Sequence, residues 1–159
     1  MNAGRILATV ALVAGAARAA SAQTATQVVT FQVSAVNQIA FVGSPSLIVN
    51  TATAGSNPTS ASDASSSWAV TTNQSGAKIT ASINSNLPAG LTLSVQLGAP
   101  AGTTSIGNSL STTSVDLVTG ITKLAQGGLG VTYSLDATPA AGVVASTSRT
   151  VTYTITGGT

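Results

Sequence analysis

Apolar and polar residues alternate with a period of two along most of the chain. Leu91, Leu93, Val95 and Leu97 alternate with Thr92, Ser94 and Gln96, and Val151, Tyr153 and Ile155 alternate with Thr150, Thr152, Thr154 and Thr156. The same spacing recurs in Val29, Phe31, Val33 and Ala35, in Ile79, Ala81 and Ile83, and in Val131, Tyr133, Leu135 and Ala137. Each run predicts a strand with one buried and one wet face. Further strands are expected at Gln38 to Val42, Leu47 to Val49, Ser67 to Thr72 and Val115 to Val118, and no segment carries a helical stripe. Asn73-Gln74-Ser75-Gly76 is expected to close a hairpin between the Trp68 and Ile79 strands. Leu87-Pro88-Ala89-Gly90 and Thr138-Pro139-Ala140-Ala141-Gly142 mark further turns. Residues 50–66 and 98–114 read as long loops rich in Ser, Thr and Gly. One-sided alternation favours antiparallel pairing. The expectation is an all-β fold, a single antiparallel immunoglobulin-like β-sandwich of about eight or nine strands.

The first 22 residues stand apart from this pattern. Arg5 precedes an apolar stretch, Ile6 to Ala17, and Ala20-Ser21-Ala22 supplies small residues where a signal peptidase reads. This predicts a cleaved signal peptide over 1–22 and one β-sandwich domain over 23–159. The stretch is shorter than the roughly 20 residues a membrane span needs. No membrane association is expected once the leader is removed. The expected location is secreted, extracellular or cell-surface, the periplasm included. The chain has no Cys, so neither a lipid-anchored form nor a disulfide framework is expected.

Composition removes most enzyme chemistries. Among 159 residues there is no His, no Cys and no Glu, so triads, thiolate centres and ordinary zinc sites lack their usual groups. Ser75-Gly76-Ala77-Lys78 matches the S-x-x-K spacing of serine acylases, but it lies at a turn entering a strand rather than on a helix. Gly127-Gly128-Leu129-Gly130 matches the start of a calcium-binding repeat, yet Thr132 stands where Asp is required, and a loop before the Val131 strand is the better reading. Asp63, Asp116 and Asp136 show neither glycosidase nor aspartic-protease patterning and are read as solvated or turn-capping groups. One acid per loop also gives little charge to hold calcium. The chain is read as no enzyme, with no catalytic, cofactor-binding or metal-ligating residues and no cofactor.

Binding readings are weighed in the same way. Trp68, Tyr133 and Tyr153 share faces with aliphatic residues and are assigned to the core rather than to a sugar-stacking platform. The threonine row 150, 152, 154 and 156 resembles an ice-binding face but lacks stacked repeats, and is read as the wet face of a strand. Charge narrows the partners. The formal net charge of +2 includes Arg5 and Arg18 of the leader; beyond it Lys78, Lys123 and Arg149 balance Asp63, Asp116 and Asp136. With no basic stripe, no nucleic acid is expected.

Polarity instead comes from hydroxyls: residues 23–159 hold 20 Ser and 24 Thr. With six charges in that span, the sheet edges lack the lysine guards common in soluble β proteins. Self-association through sheet edges is therefore expected, and the strand Val28 to Val36 is the element placed to pair within its domain or with a neighbour. The leader, Thr30-Phe31-Gln32-Val33, Ser66-Ser67-Trp68-Ala69-Val70 and the closing run 149–156 together resemble small secreted bacterial β-sandwich surface proteins, both fimbrial-subunit-like and WxL-type. The resemblance implies a structural or adhesive surface protein, a subunit of a filament or surface layer. Trp68-Ala69-Val70 departs from the paired W-x-L motifs used in wall attachment, and the cysteines common in fimbrial subunits are missing. The alternative is an extracellular module recognising a cell-surface glycan or protein through loops 50–66 and 98–114.

Overall fold

The computed structural model describes residues 21–159; the expected leader as far as residue 20 lies outside them. Two compact units divide between Gln32 and Val33, and every strand among the described residues belongs to Val33–Thr159. The strands are β1 (Asn37–Val42), β2 (Ala61–Thr72), β3 (Ala77–Ile83), β4 (Leu91–Leu97), β5 (Thr104–Ser105), β6 (Asn108–Ser109), β7 (Val115–Ile121), β8 (Leu124–Ala137) and β9 (Val151–Thr156). They form two antiparallel sheets, ordered β1-β2-β8-β4-β6 and β5-β7-β3-β9. The expected antiparallel β-sandwich is the observed fold.

Alternation carries through to packing. In β3, Ala77, Ile79, Ala81 and Ile83 are buried and Lys78, Thr80 and Ser82 are not, as a strand with one inward face requires. These side chains meet Trp68 and Val70 of β2, Val95 and Leu97 of β4, Leu117, Val118 and Ile121 of β7 and Val131 of β8 in one core. Trp68 is 1% exposed and donates its indole N–H to the Gly98 carbonyl at 3.3 Å, so its one polar atom is satisfied inside. The Pro88–Leu91 turn closes with a 3.2 Å bond from Leu91 N–H to the Pro88 carbonyl. Gly90 occupies its left-handed position at φ 81°, where a Cβ would come within 2.6 Å of the Ala141 nitrogen.

Several expected boundaries change. Residues 28–36 lie outside the strands: Val28, Val29, Phe31 and Val33 are exposed, and only the end next to β1 is held, by Asn73, whose N–H donates to the Val36 carbonyl at 3.2 Å. Leu47 to Val49 is likewise outside any strand, because the chain leaves the sheet at Gly43 and passes through Pro45, which has no N–H to donate. Residues 61–66 are strand rather than loop. Small hydroxyl residues tolerate the pleat, and β8 pairs with them across a register shift between Asp63 and Ser66. Gly127 to Gly130 also lies within a strand, β8, beside a second register shift at Trp68/Val70, and the Gly98 N–H donates to the Gly130 carbonyl at 2.7 Å. The segment 98–114 contains β5 and β6. Finally, Asn73–Gly76 is no hairpin turn: β2 and β3 lie in different sheets, and the four residues carry the chain across the sandwich.

Candidate functional site

Strand order leaves one flank of the sandwich open. β1 ends the sheet β1-β2-β8-β4-β6, β9 ends the sheet β5-β7-β3-β9, and β9 carries no strand on its outer side among the described residues. It faces β1 across the flank of the sandwich, and both are sheet edges.

The chain opens a cleft along this flank. After Val42 the backbone turns at Gly43, φ 127°, where a Cβ would come within 2.4 Å of the Ser66 hydroxyl, so only glycine lets the chain leave the sheet this close to β2. Residues 43–50 then form one wall. The other wall is residues 143–149, which lead into β9. Among the described residues, neither wall makes a backbone–backbone hydrogen bond to another segment. Between them lie two adjacent cavities of about 660 and 550 Å³, which share the lining residues Leu47, Ile48, Leu91, Leu135, Ser146 and Thr147. Leu93, Tyr133, Val151 and Tyr153 extend the apolar floor of the second. Volumes of this size fall within the range of ligand sites, about 300–1,000 Å³.

Polar contacts hold the walls. The Ser46 N–H donates to Asp63 Oδ2 at 3.0 Å, while Ser65 donates its N–H and Oγ–H to Oδ1 at 2.8 and 2.6 Å. These bonds favour the ionised carboxylate, and the Ser65 hydroxyl, followed by the Ser46 and Ser65 amides, holds Asp63 below the ordinary carboxylate range. Arg149 donates to the Asn86 carbonyl at 3.2 and 3.0 Å and to its own wall at Ser148 and Thr147. At the upper end of the cleft, Phe41 stacks on Tyr153 with ring centroids 3.8 Å apart and on Trp68 at 5.9 Å. The Tyr133 and Tyr153 hydroxyls share a 2.6 Å hydrogen bond. Burial raises the pKa of both phenols; the shared bond raises that of Tyr153 further and partly offsets the rise at Tyr133.

The residues weighed on sequence fall as follows. Trp68 and Tyr133 are buried core and Tyr153 is half-buried at the cleft, while the threonines of β9 form an exposed row. Lys78 pairs with Asp116 at 2.9 Å, and Asp136 accepts from the Ser60 hydroxyl. Asp63 caps the irregularity in β2 rather than a loop. Among the described residues no three metal-ligating side chains come together. The two expected ligand loops open at opposite ends: residues 50–60 lead into Ala61, paired with Leu135, whereas Ala101 is held by Gln126 at the other end. The cleft was not foreseen, although Pro45 after one alternating run and Ser146-Thr147-Ser148 before another mark the two places where strands stop short. No family model, curated protein or solved structure matches this chain.

Proposed function

We propose that the protein is a secreted, non-enzymatic structural or adhesive subunit that assembles with copies of itself at the cell surface through β-strand pairing, as in a filament or surface layer. The observation that carries this reading is where apolar surface remains. Ten large apolar residues are exposed among the described residues, and five of them, Val28, Val29, Phe31, Val33 and Val36, fall in one short stretch. A contiguous run of exposed apolar side chains marks an interaction surface. The edges support the same reading. β5 and β6 are only two residues long, a common way of blunting an edge, but β1 and β9 have six residues each and contain neither charge nor Pro.

The test uses the chain expressed with its leader and recovered from the exported fraction. N-terminal sequencing is expected to read Gln23 first. Light scattering and electron microscopy should show oligomers that grow with concentration and disappear when residues 23–36 are deleted. A chain that stays monomeric at high concentration overturns the proposal.

A further inference from the structure

We infer that the flank cleft is a binding site for a single-chain aliphatic acid, with the alkyl chain laid on the leucines of β4 and β8 and the carboxylate turned to Arg149. Such a site serves one copy of the chain, whether or not copies assemble.

The inner face of the five-stranded sheet changes character along its length. On β4, Val95 and Leu97 are 1% exposed, while Leu91 and Leu93 on the same face are only half-buried. On β8, Val131 is fully buried and Leu135 is half-buried. Leu93 and Leu135 stand opposite each other in the ladder, so the two strands leave one continuous apolar floor. Leu47 from one wall and Val151 from β9 border it, and both are half-buried too. Alkyl surface that points into the sandwich yet stays uncovered is surface that a ligand of the same chemistry would take from water. The two adjacent cavities share Leu91 and Leu135, and the first continues from that shared stretch to Pro58 and Pro139. The space is therefore long rather than round, which suits an extended alkyl chain better than a compact ring.

Charge fixes the other end of the ligand. Among the described residues that line the two cavities, Arg149 is the only one charged at neutral pH. Its guanidinium meets no carboxylate: it donates to the Asn86 and Ser148 carbonyls and to the Thr147 hydroxyl, and the salt bridge among the described residues joins Lys78 to Asp116 instead. Those four bonds occupy at most four of the five N–H groups, so the guanidinium is held in place with a donor to spare. A half-buried cation with neutral partners keeps its full charge beside an apolar space, where an anion gains more from it than in bulk water. One cation matches one negative charge, as on a carboxylate; a doubly charged phosphate would carry the excess into alkyl surroundings. Tyr133 and Tyr153 also line the second cavity, but they are neutral and bond to each other.

The test titrates the exported chain with palmitate, cetyl alcohol and cetyltrimethylammonium, each below its micelle concentration, by calorimetry and heteronuclear NMR. Palmitate is expected to bind as a single molecule per chain, with shifts concentrated at Leu91, Leu93, Leu135 and Arg149 and absent from Leu110 on the other flank. The alcohol keeps the tail and lacks the charge, so it should bind about tenfold more weakly, and the ammonium more weakly still. Arg149 also braces its own wall, so Arg149→Gln is read as a ratio. A merely structural loss lowers palmitate and alcohol alike, whereas loss of the anion's partner removes the preference between them. Leu91→Trp, which fills the stretch common to both cavities, should abolish binding of both ligands while leaving the circular dichroism spectrum unchanged. If Arg149→Gln does not fold, the three head groups on the unsubstituted chain still decide. Equal affinity for palmitate and alcohol, shifts centred outside the cleft, or no binding at all overturns the proposal. Binding that appears only after residues 23–32 are removed makes the chain itself the occupant and overturns it as well.

Discussion

The two flanks of the sandwich are closed by different means. On the flank of β4 and β7, residues 104–110 stitch the sheets together through main-chain groups. The Ile106 N–H donates to the Leu117 carbonyl at 2.8 Å, the Leu110 N–H to the Leu93 carbonyl at 2.7 Å, and the Asn108 side chain to the Asp116 carbonyl at 2.6 Å. Leu110 is buried beneath them. On the flank of β1 and β9, stacked rings of Phe41 and Tyr153 bridge the two edges, and below them the cleft opens. Hydrogen-bonded backbone excludes water along its whole length, whereas a ring stack covers one position. The difference teaches that Leu110 and Leu117 are sealed beneath a hydrogen-bonded cover, of whose apolar side chains only Ile106 stays exposed, whereas burial is partial where the outer side of β9 is left unpaired.

The strongest way to break this comparison is to remove equivalent apolar groups from each side. Leu117 is 1% exposed and packed on all sides, so Leu117→Ala should cost about 2–5 kcal/mol of unfolding free energy. Leu91 at the cleft is only half-buried, and Leu91→Ala should cost about 1 kcal/mol, since the removed groups already touch solvent and leave no sealed void. Urea unfolding at a concentration where the chain is monomeric checks both. Equal losses would mean that the flank is closed in solution.

Alternation made most of the strands legible, because a one-sided strand shows its two faces within a few residues. It could not show which edge each strand would find. The run at 29–35 alternates as cleanly as β9, yet it forms no strand in this chain: periodicity reports a face that needs covering and is silent on what covers it. Residues 61–66 failed in the other direction. Their serines show no apolar face, and their pairing with β8 is decided by Trp68 and Val70 further along the same strand. The glycines 127–130 were misread for a related reason, since tolerance of glycine in β8 depends on a register irregularity against β2 that only the folded pair reveals. The cleft needed strand order, a property of the whole sheet.

A middle-sized effect probes the upper end of the cleft. The Tyr133 and Tyr153 hydroxyls satisfy one another, so Tyr133→Phe or Tyr153→Phe alone should cost about 1–2 kcal/mol, while the double substitution costs less than the two added, because no hydroxyl is stranded. The pair also sets an alkaline limit. Both folded-state phenol pKa values are raised, so the folded chain holds protons that the unfolded chain releases above about pH 10. Their contribution to stability is intact below that pH and falls as pH rises through the raised values. Denaturation followed against pH should show this decline in the wild type and a much weaker one in the double phenylalanine variant.

The smallest expected effect sharpens the comparison most locally, at the wall formed by residues 43–50. That wall is tied to β2 by the Ser46 amide on Asp63, an exposed carboxylate whose pKa is lowered chiefly by the Ser65 hydroxyl and then by the Ser46 and Ser65 amides. A lowered folded-state value means that the tether is present above about pH 4 and is lost as pH falls through the folded pKa. Asp63→Asn weakens the acceptor at every pH. Global melting should barely move, because no buried group is exposed and β2 keeps its ladder with β8. Amide exchange at Ser46, however, should quicken in the variant, and in the wild type on acidification once the intrinsic exchange rate is corrected for, while amides of β3 and β7 keep their protection. If the variant slows Ser46 exchange or loosens β3 equally, the wall is part of the closed core and the two flanks are one cooperative unit.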